Sequence, residues 1–391
     1  MLLRDARLLS STDDHEGDLR VADGLIDAVG DLSPRSDERI VDLDGRTLMP
    51  GLVDAHVHFS LSGETSVESV VELSDAELAL VEARNARKTL ESGVTGTRVM
   101  AARGVDLDLQ RAVTRGDVPG PRMVVNDRSI TITGGHGHHL GREIDGPVDA
   151  RKAVREQVKR GAEFIKFMTT GGVTTPGTDP DRVALTDDEL DALVDETHRH
   201  GLHAATHVHG ADGAKAAALA GVDTIEHGTF LDDEAIELLV SEDVTLVPTL
   251  SAPHYIVRNV EWATADSARK TDHIYEAHLE SFARAVDAGV RIAGGTDAGT
   301  PFNYHGSNAA EITFMIEHGL SPRGALAAMT ETAAETVGLD GCGTLEPGTD
   351  ADLLVVAGDP LEESTTLNDP EAVLFGGDLV SGFLPDGPTS R

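Results

Sequence analysis

Histidine and aspartate residues end several predicted strands of this chain, with a spacing that suits a metal ion. The segment DAHVH places Asp54, His56 and His58 on one face of a strand, because strand side chains alternate with a period of two. Two histidines placed in this way can bind a single ion. Similar candidates end other predicted strands, namely His207, His209, His227 and Asp297. Separate strands that deliver such ligands to one end of a fold predict a metal site.

Lys166 lies in EFIKFM, a run that is otherwise apolar on both faces and is therefore predicted to be a buried strand. Burial lowers the pKa of an ammonium group, which favours a neutral amine. A neutral amine reacts with carbon dioxide to form a carbamate, whose two oxygens can bridge two divalent ions. The alternative is a structural lysine, paired with an acid inside the fold or extended to its mouth. Glu163 has the opposite parity and is not that acid.

The elements that must position these residues alternate along the middle of the chain. Polar, periodic segments that begin at Asp or Thr and end at Gly, as helices do, separate glycine-bounded strand candidates. The predicted strands are LMPGLVDAHVHF, VTGTRVM, PRMVVNDRSITIT, EFIKFM, LHAATHVHG, DTIEHG, VTLVPTL and RIAGGTDAG. This pattern predicts an α/β fold with a (β/α)8 TIM-type barrel over residues 50–342. Active sites of such barrels gather at the carboxyl ends of the strands, where the candidate ligands lie.

The two chain ends differ from this middle part. Residues 1–49 include LRVADGLIDAVG and RIVDLDGRTLMP, which read as short alternating strands with turns, and residues 343–391 have the same character. The simplest arrangement joins both ends into one small β-sandwich-like domain beside the barrel.

The composition is that of an acidic globular protein, with 68 Asp and Glu against 32 Lys and Arg and a formal net charge of −36. Such a surface repels nucleic acid and anionic membranes, and the apolar runs are too short to cross a membrane. One cysteine and an N-terminus that meets charges early favour a cytoplasmic protein without disulfides. Scarce lysine, abundant Asp and few aromatic residues favour adaptation to a high-salt organism over an ordinary acidic surface.

The motifs in strand order resemble a known family. PGLVDAHVHF, EFIKFMTTGG, THVHG, IEHGT and GTDAG are similar to the amidohydrolase superfamily, in its binuclear-metal form with a carbamylated lysine. PGTDADLLVV resembles the closing β segment of that family, so the likeness spans nearly the whole chain. TTGGV, GGHGH and GTDAGTPFNYHG resemble the prolidase-like and carboxypeptidase-like branch, which is grouped near imidazolonepropionases.

The resemblance implies a role for each ligand candidate. His56, His58 and Asp297 would bind one divalent ion, with zinc as the first choice, and His207 and His227 would bind a second. Carbamylated Lys166 would bridge both ions. Strand parity alone leaves His207 and His209 open as the ligand, because both face inward. The resemblance selects His207 and leaves His209 as a substrate contact.

The implied mechanism is hydrolysis by a hydroxide that bridges the two metals. Asp297 would take the proton of the hydroxide and deliver it to the leaving amine. Asp54 would orient a ligand or serve the fold alone.

Two further residues are candidates for substrate binding. His136 lies in GGHGH, a loop that could grip a carboxylate or polarise a carbonyl, or that is a solvated turn. Tyr255 follows the seventh predicted strand and could donate to a developing oxyanion, or it is an aromatic residue of the rim.

The expected function is hydrolysis of C–N bonds in small amide or dipeptide substrates, such as N-acyl amino acids, with self-association into a homo-oligomer left open. One alternative is a mononuclear deaminase or an imidazolone-type cyclic amidase on the same fold, which would not need Lys166. Another is a non-catalytic barrel that keeps the fold for binding, although every expected ligand position is filled here.

Overall fold

The computed structural model describes residues 1–100 and 102–385. The strands are β1 (Leu2–Leu9), β2 (Asp14–Ala22), β3 (Leu25–Gly30), β4 (Ile40–Asp42), β5 (Thr47–Pro50), β6 (Leu52–Val57), β7 (Val94–Val99), β8 (Arg122–Val125), β9 (Ile130–Ile132), β10 (Arg142–Ile144), β11 (Phe164–Met168), β12 (His203–Gly210), β13 (Thr224–Phe230), β14 (Thr245–Val247), β15 (Leu353–Val356), β16 (Ala372–Phe375) and β17 (Asp378–Gly382).

The helices alternate with the strands of the middle part. They are α1 (Asp75–Glu91), α2 (Asp106–Thr114), α3 (Pro147–Arg160), α4 (Asp187–Arg199), α5 (Ala211–Ala220), α6 (Asp233–Ser241), α7 (Ser251–Arg258), α8 (Ala265–Asp287), α9 (Ala310–Glu317), α10 (Pro322–Ala328) and α11 (Glu331–Val337). Two short 3-10 helices cover Val67–Glu72 and Ser364–Asn368. No helix in the described part of the chain is long and apolar enough to span a membrane.

The structure shows capping contacts at the ends of several predicted helices. Ser74 and Glu77 form a capping box at the start of α1, and Thr186 and Glu189 form one at the start of α4. Gly161 ends α3 in the left-handed conformation that glycine adopts without steric cost. One boundary differs, because the periodic pattern predicts a helix from Tyr275, whereas α8 begins ten residues earlier, after an N-cap at Thr264.

Parallel strands position the candidate residues. β9, β11, β12, β13 and β14 follow one another in one parallel sheet, and β6, β7 and β8 form a second one. β11 is buried at every position, as its apolar pattern predicts. The mixed α/β character expected from the sequence is therefore confirmed.

The eighth predicted strand, RIAGGTDAG, is irregular. It makes only isolated parallel bridges, Leu246↔Ile292 towards β14 and Val57↔Ala298 towards β6. Asp297 has a positive φ of 58°, which interrupts an extended strand. No ladder of the described residues joins β8 to β11, so a continuous closed barrel stays a prediction.

A further sheet of eight strands unites the two ends of the chain. Its order is β17-β16-β15-β5-β1-β2-β3, with β4 beside β1. β5 pairs with β15 in an antiparallel ladder and leads after one residue into β6. The division into two domains stays a prediction.

Candidate metal centre

Three candidate ligands from β6, β13 and the irregular segment 291–299 converge. One ligand atom of each of His56, His227 and Asp297 lies within 4.8 Å of the other two, and all three residues are buried. Nε2 of His58 lies 2.9 Å from Oδ1 of Asp297, and Nε2 of His56 lies 3.3 Å from the same oxygen. The structure therefore brings together residues that are far apart in the sequence.

His56 and His58 each make a hydrogen bond through Nδ1 on the side away from Asp297. Nδ1 of His56 donates to Oε2 of Glu226 over 2.7 Å, and Nδ1 of His58 donates to the carbonyl of Met100 over 2.9 Å. A metal-binding imidazole keeps one N–H, and these contacts place it on Nδ1, so Nε2 is the atom available to a metal ion.

Asp297 places a carboxylate oxygen, which only accepts, beside both Nε2 atoms. Burial favours the protonated form of Asp297, but its contacts with His56 and His58 hold the pKa of this carboxyl well below the usual range. When both rings are neutral, a cation among the three atoms relieves the repulsion between their lone pairs. The donor set of two imidazoles and a carboxylate therefore fits a divalent ion such as zinc.

His207 and His227 form a second neutral pair, with ring centroids 4.6 Å apart. Nε2 of His207 donates to the carbonyl of Gly171 over 3.0 Å, which leaves its Nδ1 free to accept. Nδ1 of His227 hydrogen-bonds with Oγ1 of Thr249 over 2.7 Å. Burial holds the pKa of both imidazoles well below the ordinary value, so both rings are neutral and able to bind a metal.

Lys166 is 2% exposed, and its Nζ makes no hydrogen bond within the described residues. Burial lowers the pKa of its ammonium group to about 8, although Glu226 and Asp297 attract the charge. A buried amine without a hydrogen-bond partner is unfavourable, which indicates that a further group binds it at this position. This geometry fits the carbamate expectation better than the alternative of a structural lysine paired with an acid.

A buried ion pair behind the ligands was missed by the sequence reasoning. Arg98 on β7 donates through Nη2 to Oε1 of Glu226 over 2.6 Å and through Nε to the carbonyl of Ala55 over 2.8 Å. Burial favours the protonated form of Glu226, but the charge of Arg98 holds its pKa well below the usual range. Glu226 therefore presents a carboxylate to His56. The signal was available, since Arg98 and Glu226 are charged residues within apolar strands, and buried charges need partners.

The backbone is strained where it presents two of the ligands. His227 has a φ of 74° and Asp297 a φ of 58°, in a region that residues other than glycine rarely adopt. Thr249, which contacts His227, has a φ of 55°. Such strain clusters at functional sites because the surrounding contacts hold it in place.

Asp54 joins β6 to the irregular segment 291–299. Its carboxylate accepts from the backbone N–H groups of His56 and Thr296, from the Thr296 hydroxyl and from the Asn308 side chain, at 3.1, 3.0, 2.6 and 2.7 Å. It therefore positions the segments that carry His56 and Asp297.

His136 lies beside the metal candidates, and its ring centroid is 4.5 Å from that of His207. A Cβ at Gly172 would lie 2.5 Å from Nδ1 of His136, so only glycine leaves room for this ring. Burial lowers the pKa of His136 to about 3, so the ring is a neutral donor rather than a cation.

His209 is also part of the cluster. It stacks on His227 with an interplanar angle of 17°, and its Nδ1 lies 2.7 Å from Oγ1 of Thr229. Tyr255 is placed elsewhere. Its ring packs against His254 and Phe314, on the face of α7 away from the residues that line the cavity. This placement does not support Tyr255 as an oxyanion donor.

A cavity of about 1050 Å³, its open mouth included, leads to the cluster. Its walls include apolar side chains from several elements, among them Leu61, Met100, Leu140, Met168, Ile256 and Ile274. Its lining also includes polar groups, among them His56, His227 and Asp297, which meet one another. A small organic substrate can therefore reach the candidate metal centre.

Comparisons with known proteins agree with this geometry. Residues 47–380 match the sequence profile of the Amidohydrolase family. Ochratoxinase of Aspergillus niger is 30% identical over 369 residues, which cover 86% of this chain and 76% of the relative. A crystal structure of a Xaa-Pro dipeptidase with methionine bound in its active site superposes with a TM-score of 0.91 at 30% identity, over 97% of this chain and 98% of that chain.

A more distant relative is the imidazolonepropionase of Haloarcula marismortui, which is 26% identical over 424 residues, 96% of this chain and 92% of the relative. The resemblance inferred from the motifs is confirmed, and the relatives named here are enzymes. The chain belongs to the amidohydrolase family.

Proposed function

We propose that this enzyme hydrolyses amide or peptide-like C–N bonds of N-acyl amino acids or dipeptides with two divalent metal ions. The observation that carries this proposal is the convergence of Nε2 of His56, Nε2 of His58 and Oδ1 of Asp297 in the cavity that Lys166 also lines. The buried amine of Lys166 makes no hydrogen bond within the part of the chain that the structure describes. The relatives support hydrolysis of C–N bonds as the reaction type. The name of the Xaa-Pro dipeptidase supports a substrate that contains an amino acid.

Two groups of residues would hold the ions. His56, His58 and Asp297 form one group, and His207 and His227 form the other. Lys166 would bridge them as a carbamate, in which the neutral amine forms an N–C bond with carbon dioxide and loses a proton. Zinc is the first choice, because imidazole and carboxylate ligands suit it.

The bound ions would supply an activated water and polarise the scissile carbonyl. Asp297 would accept a proton at a carboxylate oxygen and pass it to the leaving amine, because its carboxylate lies among the candidate ligands. His136 and His209 would contact the substrate from the cavity wall. The apolar side chains of the wall would exclude water from the acyl group.

The surroundings of the site belong to the same proposal. The two parallel sheets and the irregular segment 291–299 would close into a (β/α)8 barrel over residues 50–342. Residues 1–49 and 343–391 would form the small β domain. The enzyme would work in the cytoplasm of a high-salt organism, where its charge of −36 is screened.

A metal and turnover experiment tests the proposal. Protein prepared with zinc should bind about two ions per chain, and it should hydrolyse members of a library of N-acyl amino acids and dipeptides in molar salt. Removal of the metal with a chelator should abolish turnover, and zinc with bicarbonate should restore it. One ion per chain together with turnover of a cyclic amide or an aminated ring would favour the mononuclear alternative. Bound metal without turnover of any substrate class would favour the non-catalytic one.

A further inference from the structure

The inner face of α8 contacts the turn that carries His227. Nε2 of His278 lies 3.0 Å from the carbonyl oxygen of His227, and Oγ of Ser281 donates to the carbonyl of Gly228 over 2.7 Å. The same hydroxyl accepts from the N–H of Leu231 over 3.1 Å. His278 and Ser281 are three residues apart, so they lie on one face of the helix.

This turn is strained. His227 and Gly228 have φ angles of 74° and 64° in succession. The positive φ at His227 costs free energy, because its Cβ crowds the backbone there. It also rotates the two carbonyls towards α8, where a buried carbonyl without a donor would be unfavourable. The turn therefore depends on donors from outside its own strand.

Both donors are well placed for a structural role. His278 and Ser281 are each 2% exposed. The carbonyl of His227 can only accept, so the Nε2 atom of His278 that contacts it carries a proton and donates.

We propose that His278 and Ser281 are positioning residues for the second metal. They hold the left-handed turn at His227, and this turn directs the imidazole of His227 towards His207 and the metal position. The proposal rests on the proposed function, since it assigns the contacts a role only if His227 binds a metal. Through these contacts α8 would contribute to the metal centre.

A different role for His278 follows from its position in the cavity wall. Its Nδ1 makes no hydrogen bond within the described residues and could contact a substrate. The two roles predict different measurements. A positioning residue changes metal affinity in the absence of substrate, whereas a substrate contact changes KM and leaves metal affinity as it was.

The test compares His278→Leu, His278→Gln and Ser281→Ala in the full chain. Zinc affinity is measured by competition with a chelator, and the cobalt-substituted protein is followed by its visible absorption spectrum. His278→Leu should lower the affinity for the second ion by about ten- to a hundredfold and change the cobalt spectrum. His278→Gln should recover most of this loss, because its amide can donate from the position of Nε2. Ser281→Ala should lower the same affinity by about tenfold.

His273→Leu is the matched control. His273 is an exposed histidine of the same helix that packs on Phe230, 5.4 Å between ring centroids, and its substitution should leave metal affinity unchanged. Unchanged affinity and cobalt spectrum in both His278→Leu and Ser281→Ala would overturn the proposal, as would a change confined to KM. If His278→Leu does not fold, Ser281→Ala decides alone. A parent protein that binds no second ion would instead refute the proposed function, and the two failures are thus distinguishable.

Discussion

Glu226 accepts a hydrogen bond from Nδ1 of His56 over 2.7 Å, and this contact decides that Nε2 of His56 faces Asp297. Partners of this kind orient a metal-binding histidine and raise its basicity. Glu226→Gln should therefore lower metal affinity by about ten- to a hundredfold, measured by chelator competition. It should also lower the free energy of unfolding, because Arg98 would be buried beside a neutral amide. Glu237→Gln on the exposed face of α6 is the control, and equal metal affinity in both variants would contradict the role given to Glu226.

The amine of Lys166 should be essential for the pair of ions. Lys166→Ala should lose most of the bound metal and nearly all activity, because the proposed carbamate bridge would be lost. Added acetate or propionate should restore part of the activity by supplying a carboxylate in the vacated space. Lys152→Ala, at a side chain that is 66% exposed, should leave metal content and activity unchanged. Full metal content and full rate in Lys166→Ala would establish a purely structural lysine.

The free carboxylate of the substrate should contact His136. A hydrogen bond to a charged group contributes roughly 1.5–3 kcal/mol, which corresponds to about ten- to a hundredfold in kcat/KM. Amidation of the substrate carboxylate should cause such a loss, and His136→Ala should cause a similar loss on the free acid with little further loss on the amide. His138→Ala is the control from the same loop, since its ring bonds to the carbonyl of Gly135. Equal hydrolysis of acid and amide by the parent enzyme would exclude a carboxylate subsite.

The carboxyl groups of Glu82 and Asp106 should make stability fall as pH rises. Both are fully buried, and burial raises the pKa of each carboxyl above its ordinary value, while the charge of Asp106 raises that of Glu82 further and the charge of Asp127 raises that of Asp106. The stability that the two protonated carboxyl groups contribute is fully present below their pKa values in the unfolded chain. It is lost as pH rises through their pKa values in the folded protein. The free energy of unfolding of the parent should fall between about pH 6 and about pH 10, and that of Glu82→Gln should fall by less. The difference between the two losses should be about 1.4 kcal/mol or more. Denaturant unfolding at several pH values measures this, and parallel curves for variant and parent would refute it.

Stability should rise with salt because the net charge is −36. At low ionic strength the acidic surface repels itself, and molar potassium chloride reduces the range of this repulsion to about 3 Å. The midpoint of thermal unfolding should therefore increase steadily from dilute buffer to molar salt, and activity should follow it. A protein that is fully folded and active in dilute buffer would contradict adaptation to high salt and leave the enzymatic proposal intact.

Local patterns were enough to predict most of the helices and strands of the middle part and the candidate ligands. The period of two placed His56 and His58 on one face, and the apolar run around Lys166 predicted a strand buried throughout, which the structure confirms. The motifs also led to the correct family. These features are readable because side-chain alternation and capping depend on residues that are close in the sequence.

Other features depend on partners that are distant in the sequence. The contact that orients His56 comes from Glu226, 170 residues away, so neither residue alone indicates which nitrogen faces the metal position. The irregular eighth segment and the position of Tyr255 away from the cavity follow from packing between elements. The sequence by itself therefore determined which residue types lie at the strand ends. Only the tertiary structure decided which atoms they present, because each buried donor and acceptor takes its partner from whichever element the fold brings beside it.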